Sequence, residues 1–142
     1  MPSIHIPAEL RRLVVRRARS CCEYCLLNDQ EAELPHEVDH YIPLIHGGTP
    51  DGDNLVFACM KCNRRKGTNL AAFDPVDGSV VALFNPRQQV WHDHFALVGA
   101  FLIGLTRSGR ATVALLRLND DARVERRAIL IETKSYPPSW LV

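Results

Sequence analysis

The stretch SCCEYCLLNDQEAELPHEVDHYIPLIHGGTPDGDNLVFACMKCNRRKG, residues 20–67, decides how this chain is read. It holds Cys22-Glu-Tyr-Cys25 near its start and Cys59-Met-Lys-Cys62 near its end, two C-x-x-C pairs with 33 residues between them. Two thiolates at that spacing can grip one metal ion from a tight turn. Two such grips complete the tetrahedral four-sulfur coordination that zinc prefers in structural sites. The gap exceeds the commonest zinc-ribbon spacing and leaves room for an inserted strand and loop. Cys21 is the odd thiol; it could stand in for Cys22, but C-x-x-C geometry favours Cys22. Five cysteines without a visible secretory signal argue against a disulfide framework. A redox C-x-x-C is expected beside a βαβ pattern, and none is visible. A site closed by four sulfurs has no open position, so the zinc is expected to staple the fold and not to catalyse.

Inside that frame lie His36-Glu-Val-Asp39-His40-Tyr-Ile-Pro43-Leu-Ile-His46-Gly47-Gly48, then Asp53-Asn54-Leu55, then Cys62-Asn63-Arg64-Arg65-Lys66-Gly67. Glu33 to His40 reads as a short strand. Pro43 and the Gly47-Gly48 pair end regular structure, and Ile45 to Asp53 reads as a loop closing on Asn54-Leu55-Val56. Cys59 to Thr68 reads as a helix stopped by Gly67. Strand, loop, strand and helix make a ββα unit. Phosphodiester hydrolysis needs a nucleophilic water and neutralisation of charge on the phosphate and leaving oxygen. A neutral histidine can take the water's proton near pH 7. A carboxylate can hold a hard cation such as Mg²⁺. On an extended backbone the adjacent side chains of Asp39 and His40 point apart, which would set base and cation on opposite sides of one phosphate.

The pattern D-H-x-x-P, G-G, D-N-L and C-x-x-C-N-x-x-K inside a cysteine frame resembles the HNH endonuclease family, in the subgroup with two C-x-x-C pairs around a ββα-metal fold. The resemblance covers Ser20 to Gly67. It implies Asp39 as a metal ligand and His40 as general base. Asn54 would fix the backbone around His40 or orient its imidazole, and Asn63 would be the second protein ligand. Many members carry histidine where this chain has Asn63. An amide oxygen is a harder ligand, which favours Mg²⁺ or Mn²⁺ there. Arg64 and Lys66 are candidates for contact with phosphates, and His46 for reaching a phosphate or capping its loop. His36 would share a strand face with Val38, either as an ordinary half-buried histidine or with a direct role in the site.

Charge is distributed unevenly although the net charge is only +1. Arg11, Arg12, Arg16, Arg17 and Arg19 form one basic block and Lys61, Arg64, Arg65 and Lys66 another, while Glu23 to Asn54 holds eight acids and no Lys or Arg. That order suits a cation site flanked by phosphate-binding surface, equally well two solvated helix faces and an acidic loop. Pro7 to Ser20 reads as a helix with Leu10, Leu13, Val14 and Ala18 at helical spacing, and Arg12 and Arg16 would grip DNA backbone. Met1 to Ser20 shows no apolar run before a small-residue cleavage site, so a cytoplasmic setting is the default expectation. No stretch has the length of a membrane span.

Beyond Asn69 the pattern changes. Asp74-Pro75 and Asp77-Gly78 are turn signals. Val80 to Phe84, Trp91 to Leu97 and Phe101 to Leu105 are candidate strands, Ala111 to Leu118 a candidate helix, and Val124 to Glu132 a strand or helix. Trp91, Phe95, Phe101 and Leu105 are expected to pack a small sheet onto the core. Arg87, His92, His94, Arg107 and Arg110 are the alternative, an extension of the DNA surface. The fold expected is therefore α+β: a ββα-metal core at 1–70 with an N-terminal helix and a Cys₄ site, and a β-rich extension at 71–142. The function expected is a metal-dependent endonuclease acting on double-stranded DNA, with structural Zn²⁺ and catalytic Mg²⁺ or Mn²⁺. A non-catalytic zinc module that binds nucleic acid is the alternative, and a zinc-stapled protein-interaction domain a second one.

Overall fold

Helix α1, Ala8–Arg17, begins directly after Pro7, whose fixed φ suits a helix start, and places Val14 fully inside. It stops three residues short of the expected Ser20 because Arg19 and Ser20 adopt positive φ (54° and 61°), which breaks the helix and turns the chain into the first cysteine pair. A computed structural model describes residues 5–141. Strand β1, Glu37–His40, pairs antiparallel with β2, Leu55–Ala58, in the register Glu37 to Ala58 and His40 to Leu55. The strand is shorter than the expected Glu33 to His40. Pro35 has no N–H to donate, and the His36 N–H is taken by Asp29 Oδ1 at 2.8 Å. Helix α2, Met60–Lys66, follows β2 directly, with Cys59 as its N-cap and Gly67 ending it at φ 52°. This completes the expected ββα unit.

The second half holds strands β3 (Ala71–Phe73) and β4 (Val80–Ala82), a short helix α3 (Trp91–His94), and strands β5 (Phe95–Val98) and β6 (Phe101–Gly104). Helices α4 (Arg107–Leu115) and α5 (Asp121–Glu132) complete it. Among the described residues three antiparallel pairs result, β1 with β2, β3 with β4 and β5 with β6, so the fold is α+β with small sheets. Several expectations need correction. Trp91 to Leu97 is one helical turn before it is a strand. The helix expected at Ala111 starts at Arg107, because Thr106 accepts a bond from the Gly109 N–H at 3.0 Å and caps it. A Cβ on Gly109 would lie 2.1 Å from the His94 carbonyl oxygen, so only glycine lets α4 approach there. Val124 to Glu132 lies wholly in helix α5, and strand β3 was not expected.

One apolar cluster runs through both halves: Cys22, Tyr24, Cys25, Tyr41, Val56 and Ala58 meet Leu83, Phe84, Phe95, Leu102, Leu116 and Leu118. Phe84 and Phe95 pack edge to face, 5.1 Å between centroids. Phe101 and Leu105, expected in this core, are half exposed; at the ends of β6 they point away from it. A second cluster seats Val14 of α1 and Ala18 just after it on Leu55 and Phe57 of β2. Arg17 locks the same joint, donating to the Gly52 and Leu55 carbonyls at 2.6 and 2.5 Å. Among the described residues no helix is long and apolar enough to cross a membrane.

Candidate functional site

The sulfurs of Cys22, Cys25, Cys59 and Cys62 converge within 4.8 Å of one another, all buried. Each pair forms a knuckle: the Cys25 N–H points at Cys22 Sγ and the Cys62 N–H at Cys59 Sγ, both at 3.5 Å. The Cys25 and Cys59 sulfurs lie 3.7 Å apart. Four sulfurs at the zinc–thiolate bond length of about 2.3 Å stand about 3.8 Å from one another, so the cluster has the size that the ion requires. Burial pushes the Cys22 and Cys62 thiols up, whereas hydrogen bonds from the other three cysteines pull the Cys25 thiol well down. Cys21 lies outside the cluster, 3.8 Å from the Asn28 amide nitrogen. A residue the sequence did not flag completes the arrangement. Arg123 of α5, nearly buried, directs Nη2 at Cys62 Sγ (3.0 Å) and Cys59 Sγ (3.8 Å), and Nη1 donates to the Leu116 carbonyl (2.9 Å).

The ββα unit brings the other motif residues together on facing surfaces of β1 and α2. Glu37 and Asp39, two apart on a strand, share one face. Asn63 and Lys66, three apart on a helix, share another. Asn63 Nδ2 donates to Glu37 Oε2 at 2.5 Å, and Lys66 Nζ lies 3.5 Å from Asp39 Oδ2. Asn63 is thus hydrogen-bonded to Glu37 and not to Asp39. Lys66, expected at a DNA phosphate, is instead fully buried, donating to the His40 carbonyl at 3.1 Å with the Tyr41 ring 5.9 Å away. Burial raises the Asp39 carboxyl above its usual range against the pull of the Lys66 ammonium, and burial lowers the Lys66 ammonium against the pull of Asp39. Asp39 Oδ2 and His40 Nε2 are buried with no hydrogen-bond partner among the described residues. Asp39 Oδ2 has only the Lys66 ammonium beside it, at 3.5 Å, and the His40 nitrogen has no partner at all among those residues, an unusual state for buried polar atoms in a folded chain.

Asn54 is buried and ties the loop after His40 into one shape. Its Oδ1 accepts from the Ile42 N–H at 2.8 Å, and its Nδ2 donates to the Ile42 and Thr49 carbonyls, each at 2.9 Å. The Asn54 carbonyl accepts from the Tyr41 N–H at 2.8 Å. These bonds fix the backbone next to His40; no bond from Asn54 to the imidazole exists among the described residues. Gly48 is required in the same loop, since a Cβ there would lie 1.7 Å from the Ile42 carbonyl oxygen. His46, exposed, has Nε2 3.1 Å from the Thr68 carbonyl and bridges the loop to the end of α2.

Arg12, Arg16 and Arg64 are exposed, as phosphate contacts must be. His36 is buried, with Nε2 2.8 Å from the Leu27 carbonyl and its ring 5.2 Å from that of Phe57, a packing residue. The basic residues of the second half are mostly committed elsewhere: Arg87 pairs with Glu23, Arg107 with Asp77, and Arg110 with buried Asp74 through two nitrogens at 2.9 and 2.7 Å. His94 Nδ1 lies 2.7 Å from Thr106 Oγ1. Sequence reasoning missed Glu37, although it stands two residues before Asp39 and must share its strand face. It missed Arg123 because nothing in the α5 sequence marks its depth.

Together, a four-sulfur cluster and a ββα unit carrying Asp39, His40 and Asn63 make a cysteine-knuckle domain compatible with the ββα-metal fold. The family model described as HNH endonuclease matches residues 22–69, and the resemblance to that family holds over this segment. The chain is 26% identical over 128 residues to the Septu protein PtuB of Bacillus thuringiensis. The aligned part is 89% of this chain and 47% of PtuB, so the chain spans about half the length of that curated relative. No solved structure matches the chain.

Proposed function

We propose that this protein is a metal-dependent HNH endonuclease that hydrolyses phosphodiester bonds in double-stranded DNA. The observation that carries the proposal is a pair of buried atoms without a hydrogen bond, Asp39 Oδ2 (which has only the Lys66 ammonium at 3.5 Å) and His40 Nε2, on adjacent residues of β1 beside α2. Asp39 and Asn63 would hold Mg²⁺ or Mn²⁺, which suit oxygen donors, and the four cysteines would hold a structural zinc. When bound, the divalent ion supplies charge stabilisation at the phosphate and the leaving oxygen. His40 takes the proton of the attacking water at Nε2. Asn54 keeps the His40–Thr49 backbone from relaxing, so the imidazole is held before substrate arrives. Arg12, Arg16 and Arg64 offer sequence-independent contacts to the phosphate backbone.

A second reading has its own support. Asp39 faces Lys66 and Asn63 faces Glu37, so each proposed ligand already has a protein partner. A non-catalytic zinc module that binds nucleic acid would use the same fold and leave those pairs intact. Plasmid nicking in Mg²⁺ or Mn²⁺, with chelator and His40→Ala as controls, separates the two. Nicking by the wild-type chain, lost on adding chelator and in His40→Ala, is expected. Salt-sensitive DNA binding without metal-dependent nicking would leave the binding module.

A further inference from the structure

The short bond between Asn63 and Glu37 has a consequence for the orientation of Asn63. A carboxylate only accepts hydrogen bonds, whereas the two ends of an amide differ: the nitrogen donates and the oxygen accepts. Glu37 Oε2, 2.5 Å from Asn63 Nδ2, therefore admits one of the two amide orientations. The reversed amide would set oxygen against oxygen. With Nδ2 held, Oδ1 is turned away from Glu37, and among the described residues it takes no hydrogen bond. Helix α2 is kept at this depth on β1 by the neighbouring contact one helical turn on, Lys66 to Asp39 and to the His40 carbonyl.

We propose that Glu37 is a positioning residue of the nuclease site: it fixes the Asn63 amide so that Oδ1, and not Nδ2, is presented to the divalent cation. The inference rests on the reading of Asp39 and Asn63 as cation ligands. It gives Glu37 a role that needs no contact with the ion, because its effect passes through Asn63.

Two other roles for Glu37 make different predictions. As a direct ligand or a nearby charge, Glu37 would act on the ion whatever residue stands at 63. As a fold contact, it would move stability and leave cation affinity alone. Alanine at 37 frees the Asn63 side chain in both rotation and flip. Loss of such an outer partner typically weakens metal affinity about 10- to 100-fold. Glutamine at 37 can accept from Nδ2 or donate to Oδ1. If the two orientations become equally populated, half the molecules remain competent and the apparent dissociation constant rises only about twofold.

The test is Mn²⁺ binding to the full chain with its cysteine site loaded with zinc, followed by the loss of the free-ion electron paramagnetic resonance signal. It uses wild type, Glu37→Ala, Glu37→Gln, Asn63→Ala and the Glu37→Ala/Asn63→Ala double variant. Zinc content and melting temperature are recorded for each, so that a misfolded variant is recognised and Glu37→Gln, the isosteric change, still decides. The expected result is a loss of about tenfold or more in Glu37→Ala, near recovery in Glu37→Gln, and no further loss in the double variant beyond Asn63→Ala. Such non-additivity is the mark of one residue acting through another. Equal affinity in wild type and Glu37→Ala overturns the inference alone. A full Glu37→Ala penalty on top of Asn63→Ala, or a Glu37→Gln loss as large as that of Glu37→Ala, overturns it in favour of direct charge. Absence of Mn²⁺ binding by the wild-type chain overturns the cation-site reading and this inference with it.

Discussion

Replacing Arg123 by methionine is expected to loosen the zinc cluster by a calculable amount. Four thiolates around one divalent ion carry two net negative charges, held in a region that excludes water. Arg123 is the guanidinium that touches them, at 3.0 Å from Cys62 Sγ and 3.8 Å from Cys59 Sγ. The longer contact is at the edge of hydrogen-bonding range, so one charge-assisted bond is counted, worth about 1.5–3 kcal/mol. An independent scale agrees: loss of an outer-sphere partner costs about 10- to 100-fold in metal affinity, which is about 1.4–2.7 kcal/mol. Methionine fills much of the same space, but leaves the Leu116 carbonyl without the Nη1 donor, a further loss of about 1–3 kcal/mol that falls on folding. The assay is zinc transfer to a chromogenic chelator at equilibrium and fixed pH, beside a melting curve of the zinc-loaded chain. Arg123→Met should yield its zinc at about 10- to 100-fold lower chelator concentration. Arg123→Lys, which keeps the charge but loses the fork, should fall between. Wild-type zinc retention by a folded Arg123→Met protein would refute the reasoning.

Three further outcomes are expected. Cys22→Ser should abolish stoichiometric zinc binding while Cys21→Ser leaves one zinc per chain, because Cys21 stands outside the sulfur cluster; metal analysis after desalting decides, and equal zinc in both variants would contradict the cluster. Gly48→Ala puts a Cβ 1.7 Å from the Ile42 carbonyl oxygen and 2.9 Å from Asn54 Nδ2, and should cost about 2–4 kcal/mol in denaturant unfolding; an unchanged midpoint would show that Asn54 does not hold this loop. Lys66→Met removes the cation facing Asp39, whose carboxyl already sits above its usual range through burial. A carboxyl raised in the folded state stabilises most below its unfolded value, about 3.9, and that stability is lost as pH rises through the folded value. The stability deficit of Lys66→Met should therefore be smallest in acid and grow toward neutral pH, and a deficit independent of pH would refute this.

Patterns set by neighbouring residues were legible before any coordinates. The two cysteine pairs, the helix ending at Gly67, the choice of Cys22 over Cys21 and the strand–loop–strand–helix order depend on local spacing, and the structure contains them. Expectations weakened wherever a competing bond decided the boundary. Strand β1 begins late because Asp29 takes the His36 N–H, and α4 begins early because Thr106 caps it. Trp91, expected to open a strand running to Leu97, lies instead on a helical turn that sends its Nε1 to the Tyr24 carbonyl at 2.8 Å.

Sequence alone determined the inventory of chemistry: four sulfurs in two pairs, an Asp-His step on a strand, and an asparagine on the following helix. Each is a matter of residues a few positions apart, where chain geometry leaves little freedom. Tertiary structure decided which of those groups are in contact and which are enclosed. It buried Lys66 under His40, set Glu37 on Asn63 and carried Arg123 across 61 residues of chain to Cys62. Those contacts are legible only after folding, because a side chain's partner across a packed core is fixed by the depth and angle of whole elements and not by its own place in the sequence.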